Sequence, residues 1–125
     1  MTEFTSILRE LCGAGARFLI VGGYATIAHG YTRATEDLDI WIEPTRDNAR
    51  RVVAALERFG ADTSQVTVED IADPYTFFRI GAEGGRRIDI IGHAEGLEFH
   101  KAWRDRYTTE FLGLEVPRAC RRFVV

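Results

Sequence analysis

Three aspartates stand in short apolar segments at a spacing that suits metal chemistry. In the stretch Asp37-Leu-Asp-Ile-Trp-Ile the pattern alternates, which predicts a strand with Asp37 and Asp39 on one face. Residues two apart on a strand lie roughly 6.6 Å apart, so their carboxylates converge and repel each other unless a cation lies between them. Carboxylate oxygens are ligands that Mg²⁺ prefers, and Mg²⁺ commonly leaves positions for substrate phosphates. The pair predicts an incomplete magnesium site that a nucleotide completes.

Asp89 is the candidate for a third carboxylate at this site. It is centred in the apolar segment Arg87-Ile-Asp-Ile-Ile, where a buried charge without a partner would be costly. In two-metal phosphoryl or nucleotidyl transfer, ions about 3.5–4 Å apart clamp the attacking and leaving oxygens, and a further carboxylate helps to assemble them. The sequence therefore predicts that Asp89 joins Asp37 and Asp39.

A glycine pair at the end of an earlier strand offers a place for phosphate. The apolar run from Arg17 to Val21 stops at Gly22-Gly23, and a short helix is expected at Tyr24–His29, ended by Gly30. Glycines let a phosphate approach the backbone, and a helix start presents free N–H groups. Alone, a Gly-Gly pair is more often a simple turn, and an Asp-x-Asp pair is more often a solvated strand edge.

The remaining elements follow from hydrophobic periodicity. Helices are predicted over Phe4–Cys12, from Pro44-Thr45 to Phe59 with Gly60 as the stop, and over Leu97–Arg106. Strands are predicted at Phe77–Ile80 and Arg87–Ile91, joined as a hairpin, and over Thr108–Val116. For residues 61–74 the patterns leave two alternatives: an edge strand at Val66-Thr-Val, or a loop or single helical turn.

Length and composition exclude several classes of protein. A chain of 125 residues fits one domain, residues 1–125, and no apolar run approaches the roughly 20 residues that cross a bilayer. The net charge of −3 argues against extended DNA binding. No secretion signal is present at the N-terminus, and Cys12 and Cys120 form no Cys-x-x-Cys pair, so we expect a cytoplasmic protein with two packed thiols.

The order of these motifs resembles the signature of the DNA polymerase β superfamily of nucleotidyltransferases. The matching residues run from Val21-Gly-Gly-Tyr-Ala through Gly30, Arg33 and Thr35 to Glu36-Asp-Leu-Asp-Ile, with Arg87-Ile-Asp-Ile-Ile supplying the third acid. Within the superfamily the chain is most similar to small bacterial abortive-infection-type and lincosamide-type nucleotidyltransferases, with minimal antitoxins more distant. The resemblance covers roughly residues 17 to 92 and implies an α/β (α+β) nucleotidyltransferase fold, with a mixed central sheet flanked by helices.

The resemblance also implies a role for each matching residue. Asp37 and Asp39 would bind two Mg²⁺ ions in the presence of a nucleoside triphosphate (NTP) such as ATP, and Asp89 would bind one ion and help to deprotonate the acceptor hydroxyl. Gly22 and Gly23 would hold the triphosphate. Arg33 and Thr35 would lie near the phosphates, with a salt bridge from Arg33 to Glu36 or Glu43 as the alternative.

The expected activity is Mg²⁺-dependent transfer of a nucleoside monophosphate (NMP) group to a hydroxyl on a small molecule, an RNA end or a protein, within a toxin–antitoxin or abortive-infection system. Related proteins continue into a helical segment beyond the last strand, so a protein partner or a homodimer is expected to complete the cleft. Two alternatives stay open: a binding module that acts through a partner, and a plain α/β domain with a carboxylate-rich surface. Trp41 shares the face of the acids and is a candidate either for stacking on a base or for packing.

Overall fold

The computed structural model describes residues 3–21, 37–111 and 113–118, which form four α-helices and six β-strands. The helices are α1 (Glu3–Gly13), α2 (Arg46–Phe59), α3 (Val68–Ala72) and α4 (Phe99–Arg104). The strands are β1 (Phe18–Val21), β2 (Asp37–Ile42), β3 (Phe77–Gly81), β4 (Arg87–Ile91), β5 (Tyr107–Phe111) and β6 (Leu114–Arg118). A mixed α and β architecture, as the sequence predicts, is confirmed.

All six strands belong to one mixed sheet, in the order β3-β4-β2-β1-β6-β5. The pairs β2–β4 and β1–β6 are parallel, and the pairs β1–β2, β3–β4 and β5–β6 are antiparallel. Strand β2 therefore lies between β4 and β1 in the sheet. This order puts the two acid-bearing strands, β2 and β4, side by side, although 44 residues lie between Ile42 and Arg87 in the sequence.

Helices α1 and α2 cover one face of the sheet. Helix α2 begins after Thr45, whose side-chain oxygen accepts a hydrogen bond from the Asn48 N–H, and ends at Gly60, where φ is 97°. Such a left-handed conformation favours glycine and closes the helix as the sequence predicts. The core beneath the two helices contains the fully buried side chains Ile7, Leu8, Leu11, Leu38, Ile40, Ile42, Ala49, Val52, Ala55, Leu56, Ile88 and Ile90.

The opposite face of the sheet carries a smaller apolar cluster. Leu19, Val21 and Trp41 project from β1 and β2, and Phe99 and Ala102 of α4 pack against them. On β2 the odd-numbered residues point to this face because successive side chains alternate. The two acids of β2 therefore lie on the face opposite α1 and α2.

The side chain of Asn48 fixes the end of the β1–β2 pair that is remote from the acids. Its Oδ1 accepts a hydrogen bond from the Arg17 N–H at 2.7 Å, and its Nδ2 donates to the carbonyl oxygens of Arg17 and Glu43, each at 3.0 Å. Asn48 is only 4% exposed, so these bonds replace water. One residue of α2 thus joins the start of β1 to the end of β2.

Several element predictions need correction. The segment predicted as one strand over Thr108–Val116 is a hairpin of β5 and β6, with Gly113 at φ 84° between them. Helix α4 is shorter than the predicted Leu97–Arg106, and the open segment contains α3, which begins with a capping box of Thr67 and Asp70. The edge strand considered at Val66 is therefore wrong.

Two further predictions concern the whole chain. The helix predicted at Tyr24–His29 lies outside the described residues. In the part of the chain that the structure describes, no helix has the length and apolar character needed to cross a membrane.

Candidate metal and phosphate site

The register of the sheet brings the three aspartates to one face. Asp39 pairs with Asp89 across the parallel β2–β4 ladder, and Asp37 pairs with Arg87 in the same ladder. Residues directly opposite each other in neighbouring strands point to the same side of the sheet. Asp37, Asp39 and Asp89 therefore share the face that α1 and α2 leave uncovered.

Asp89 is held by an arginine from the neighbouring edge strand. Arg79 of β3 is its register partner, and the guanidinium donates from Nε to Oδ1 at 2.9 Å and from Nη2 to Oδ2 at 3.2 Å. The side chain of Asp89 is 7% exposed, whereas that of Arg79 is 46% exposed. This bidentate pair compensates the buried carboxylate, whose charge would otherwise be costly.

Asp37 has a similar partner in Arg87 of β4. Nε of Arg87 donates to Oδ1 at 2.9 Å, and Nη2 donates to Oδ2 at 3.1 Å. Here both side chains are well exposed, at 41% for Arg87 and 37% for Asp37. Water screens this pair, so it contributes less to stability than the more buried pair does.

Asp39 lies between these two ion pairs and makes no hydrogen bond or ion pair of its own within the described residues. Burial raises the pKa of the Asp39 carboxyl above its ordinary value, and the carboxylates of Asp89 and Asp37 raise it further. Arg79 and Arg87 lower the pKa in part. Among the described residues, three carboxylates share this face with two guanidiniums, so a cation beside Asp39 would be stabilised by the carboxylates.

The donor chemistry of this cluster fits Mg²⁺, since all three acids offer hard oxygen atoms. The arrangement is nevertheless not a ready-made metal site: among the residues that the structure describes, no group of three or more His, Cys, Asp or Glu side chains is placed to hold a metal ion. Guanidiniums engage both oxygens of Asp37 and both oxygens of Asp89. A Mg²⁺ ion bound by all three acids would lie close to both guanidiniums and would be repelled by them.

The predicted phosphate-binding residues Gly22, Gly23, Arg33 and Thr35 lie outside the described residues. The structure does describe the strand that precedes them. Val21, the last residue of β1, pairs with Asp39, and Gly22 is the next residue in the sequence. Strand β1 thus ends at the row of the sheet that contains Asp39 and Asp89.

Trp41 does not serve as a stacking platform in this structure. It is 1% exposed, and its ring meets the ring of Phe99 edge-on at a centroid distance of 5.2 Å. Its Nε1 is buried and has no hydrogen-bond partner among the residues that the structure describes. The base-stacking option for Trp41 is therefore wrong, and the packing alternative is confirmed.

A cavity of about 250 Å³ lies at the carboxyl ends of the parallel strands β2 and β4. Its wall includes Trp41, Gly92, His93, Leu97 and Phe99. Trp41 follows Asp39 by two residues on the same face, so the cavity begins one row of side chains beyond the acids. Ligands in open α/β sheets commonly bind outside the carboxyl ends of parallel strands.

Arg79 is the residue of this cluster that the sequence patterns did not identify. The signal was present in the predicted hairpin, because a tight connection between Gly81 and Arg87 places Arg79 opposite Asp89. Arg87 was expected on the face of Asp89, but its pairing with Asp37 depends on the strand order, which the sequence patterns do not determine.

Comparisons with protein-family models, with curated proteins and with solved structures found no match to this chain.

Proposed function

We propose that the protein is a Mg²⁺-dependent nucleotidyltransferase that moves an NMP group from an NTP to a hydroxyl acceptor. The observation that carries the proposal is the position of Asp39, which lies beside Asp37 and Asp89 on one face and has no ion-pair partner among the described residues. A plain carboxylate-rich surface has no reason to concentrate three acids at the centre of a sheet, where their repulsion lowers stability.

The described residues support a division of roles within that reaction. Asp37 and Asp39 would hold Mg²⁺, which when bound neutralises phosphate charge and aligns the reacting oxygens. Asp89 would hold the same metal site from the neighbouring strand and accept the proton of the acceptor hydroxyl. The acceptor oxygen attacks the α-phosphate, the bond from the α-phosphate to the bridging oxygen breaks, and pyrophosphate leaves. The phosphates are proposed to bind to Gly22, Gly23, Arg33 and Thr35, and this part of the proposal rests on the resemblance alone.

The proposed acceptor is a hydroxyl group on a small molecule, an RNA end or a protein. The cavity beside Trp41 supports a subsite for the nucleoside or for a small acceptor, because it lies next to the acid row and combines apolar walls with polar groups such as His93. A toxin–antitoxin or abortive-infection setting, with a protein partner or a homodimer, is part of the proposal.

A second candidate is a binding module that has kept the fold without the chemistry. The two bidentate arginine pairs favour it, because they satisfy Asp37 and Asp89 without any metal. Such a module would act through a protein partner and would need no nucleotide.

Isothermal titration of NTPs, with and without Mg²⁺, separates the two candidates. For the enzyme we expect Mg²⁺-dependent binding that Asp39→Asn weakens at least tenfold, which corresponds to about 1.4 kcal/mol. The matched control is Asp47→Asn, which removes one carboxylate charge from an exposed position on α2. Binding that is absent in the wild type, or equal in the wild type and Asp39→Asn, would refute the enzyme proposal.

A further inference from the structure

We infer that Arg79 is an exchangeable counter-ion, which holds Asp89 in the absence of metal and transfers to the phosphates of the bound nucleotide. The inference rests on the proposed function and names the residue through which metal and nucleotide binding become coupled. Arg79 lies on strand β3, outside the two sequence motifs that contain the three aspartates.

The two members of the Arg79–Asp89 pair differ in burial, and the exposed member is the one that would move. Asp89 is centred in β4, its side chain is 7% exposed, and its register partners are Asp39 on one side and Arg79 on the other. The side chain of Arg79 is 46% exposed and projects from an edge strand. Its guanidinium also lies 5.2 Å from the centroid of the Phe77 ring, which is 58% exposed on the same face. The carboxylate is fixed, whereas the guanidinium has open space beside it.

The charges supply the reason for exchange. Both Asp89 oxygens accept hydrogen bonds from Arg79, so a divalent cation that binds Asp89 comes close to the guanidinium charge, and the repulsion favours displacement of the guanidinium. The displaced guanidinium would then repel the cation, which makes metal binding unfavourable without an added anion. A triphosphate provides that anion, and the planar guanidinium binds phosphate oxygens in the same bidentate manner as a carboxylate. Metal alone should therefore bind weakly, and metal with nucleotide should bind cooperatively.

Arg87 provides an internal comparison. It engages Asp37 with equally short hydrogen bonds, but Asp37 is 37% exposed and water already screens the pair. Arg79 lies in the row of Asp39 and Asp89, whereas Arg87 lies one row away. The larger effect on metal binding is therefore expected from Arg79.

The test measures Mn²⁺ affinity of the whole chain from the electron paramagnetic resonance signal of free Mn²⁺, first alone and then with a non-hydrolysable NTP. For Arg79→Gln we expect Mn²⁺ alone to bind roughly tenfold tighter, because a competing charge-assisted pair is gone. With nucleotide present, the same variant should bind the metal–nucleotide complex roughly tenfold more weakly than the wild type. The matched control is Arg46→Gln, which removes one guanidinium from an exposed ion pair with Glu69 and should change neither affinity.

Opposite shifts in the two titrations are the result that a merely structural salt bridge would not produce. A wild type that binds the metal–nucleotide complex, with Arg79→Gln unchanged or weakened in both titrations, overturns the inference and leaves the proposed function standing. A wild type that binds no nucleotide overturns both. If Arg79→Gln does not fold, Arg79→Lys serves instead, because it keeps the charge and loses the bidentate contact. That variant should bind Mn²⁺ alone severalfold tighter, and an unchanged affinity would overturn the inference.

Discussion

Neutralising Asp39 should stabilise the protein in the absence of divalent metal. Its register partner is Asp89, and neighbouring strands lie about 4.8 Å apart, so the two carboxylates are roughly 5 Å apart. Two like charges at about 5 Å repel by about 0.8 kcal/mol in water and about 3 kcal/mol at an effective dielectric constant of 20. Asp39 is only partly buried, and Arg79 and Arg87 offset some of the repulsion. We therefore expect Asp39→Asn to raise the free energy of unfolding by about 0.5–1 kcal/mol, or the Tm by roughly 2–5 °C.

The pH dependence of this gain has a defined sign. The pKa of Asp39 is raised in the folded state, so the ionised carboxylate opposes folding. Below the unfolded-state value of about 3.9 the carboxyl is protonated in both states, and wild type and variant should be equally stable in this respect. As the pH rises through the folded-state pKa, the wild type loses stability relative to Asp39→Asn, and the difference then stays constant to neutral pH.

Urea unfolding between pH 4 and pH 7.5, in buffer with a chelator, measures this difference. Two comparisons make it specific. Asp37→Asn removes the partner of Arg87 and should not stabilise, and the exposed Asp47→Asn should change stability by less than about 0.5 kcal/mol. A destabilised Asp39→Asn, or a gain that does not vary with pH, would refute the electrostatic reasoning.

Two further predictions concern the scaffold. Asn48→Ala should lower the free energy of unfolding by about 1–3 kcal/mol in urea titrations, because the Arg17 N–H loses its acceptor and the carbonyl oxygens of Arg17 and Glu43 each lose one of two hydrogen bonds. A loss below about 0.5 kcal/mol would contradict the role of Asn48 in joining β1 to β2. Gly92→Ala should lower the free energy of unfolding by about 1–3 kcal/mol, because the added Cβ would lie 2.9 Å from the carbonyl oxygens of Asp73 and Pro74. The control is Gly81→Ala, whose added Cβ meets nothing within 4 Å. Equal thermal midpoints for the two variants would contradict the prediction.

The sequence predicted the elements of the site better than their arrangement. The alternating pattern over β2 and the apolar run of β4 gave both strands their observed bounds, because each pattern reflects one buried face. That Asp39 lies directly opposite Asp89 depends on long-range pairing, which local periodicity does not encode.

The two arginine partners of the acids differ in how far the sequence could predict them. The pairing of Arg87 with Asp37 requires β4 to align with β2, which is distant in sequence, whereas the pairing of Arg79 with Asp89 needs only the β3–β4 hairpin. For Trp41 the sequence predicted the correct face of the sheet but not the burial of the side chain, because the burial depends on Phe99 of α4, far along the chain. The hairpin of β5 and β6 was missed because Gly113 was not recognised as a turn.

A crystal structure with Mn²⁺ and a non-hydrolysable NTP tests the central claim most directly, because anomalous scattering locates the metal independently of the rest of the map. We expect a metal peak within about 2.3 Å of carboxylate oxygens of Asp37 and Asp39, with the triphosphate on the same face of the sheet. A nucleotide bound elsewhere, or a metal that touches none of the three aspartates while both arginine pairs stay intact, would contradict it.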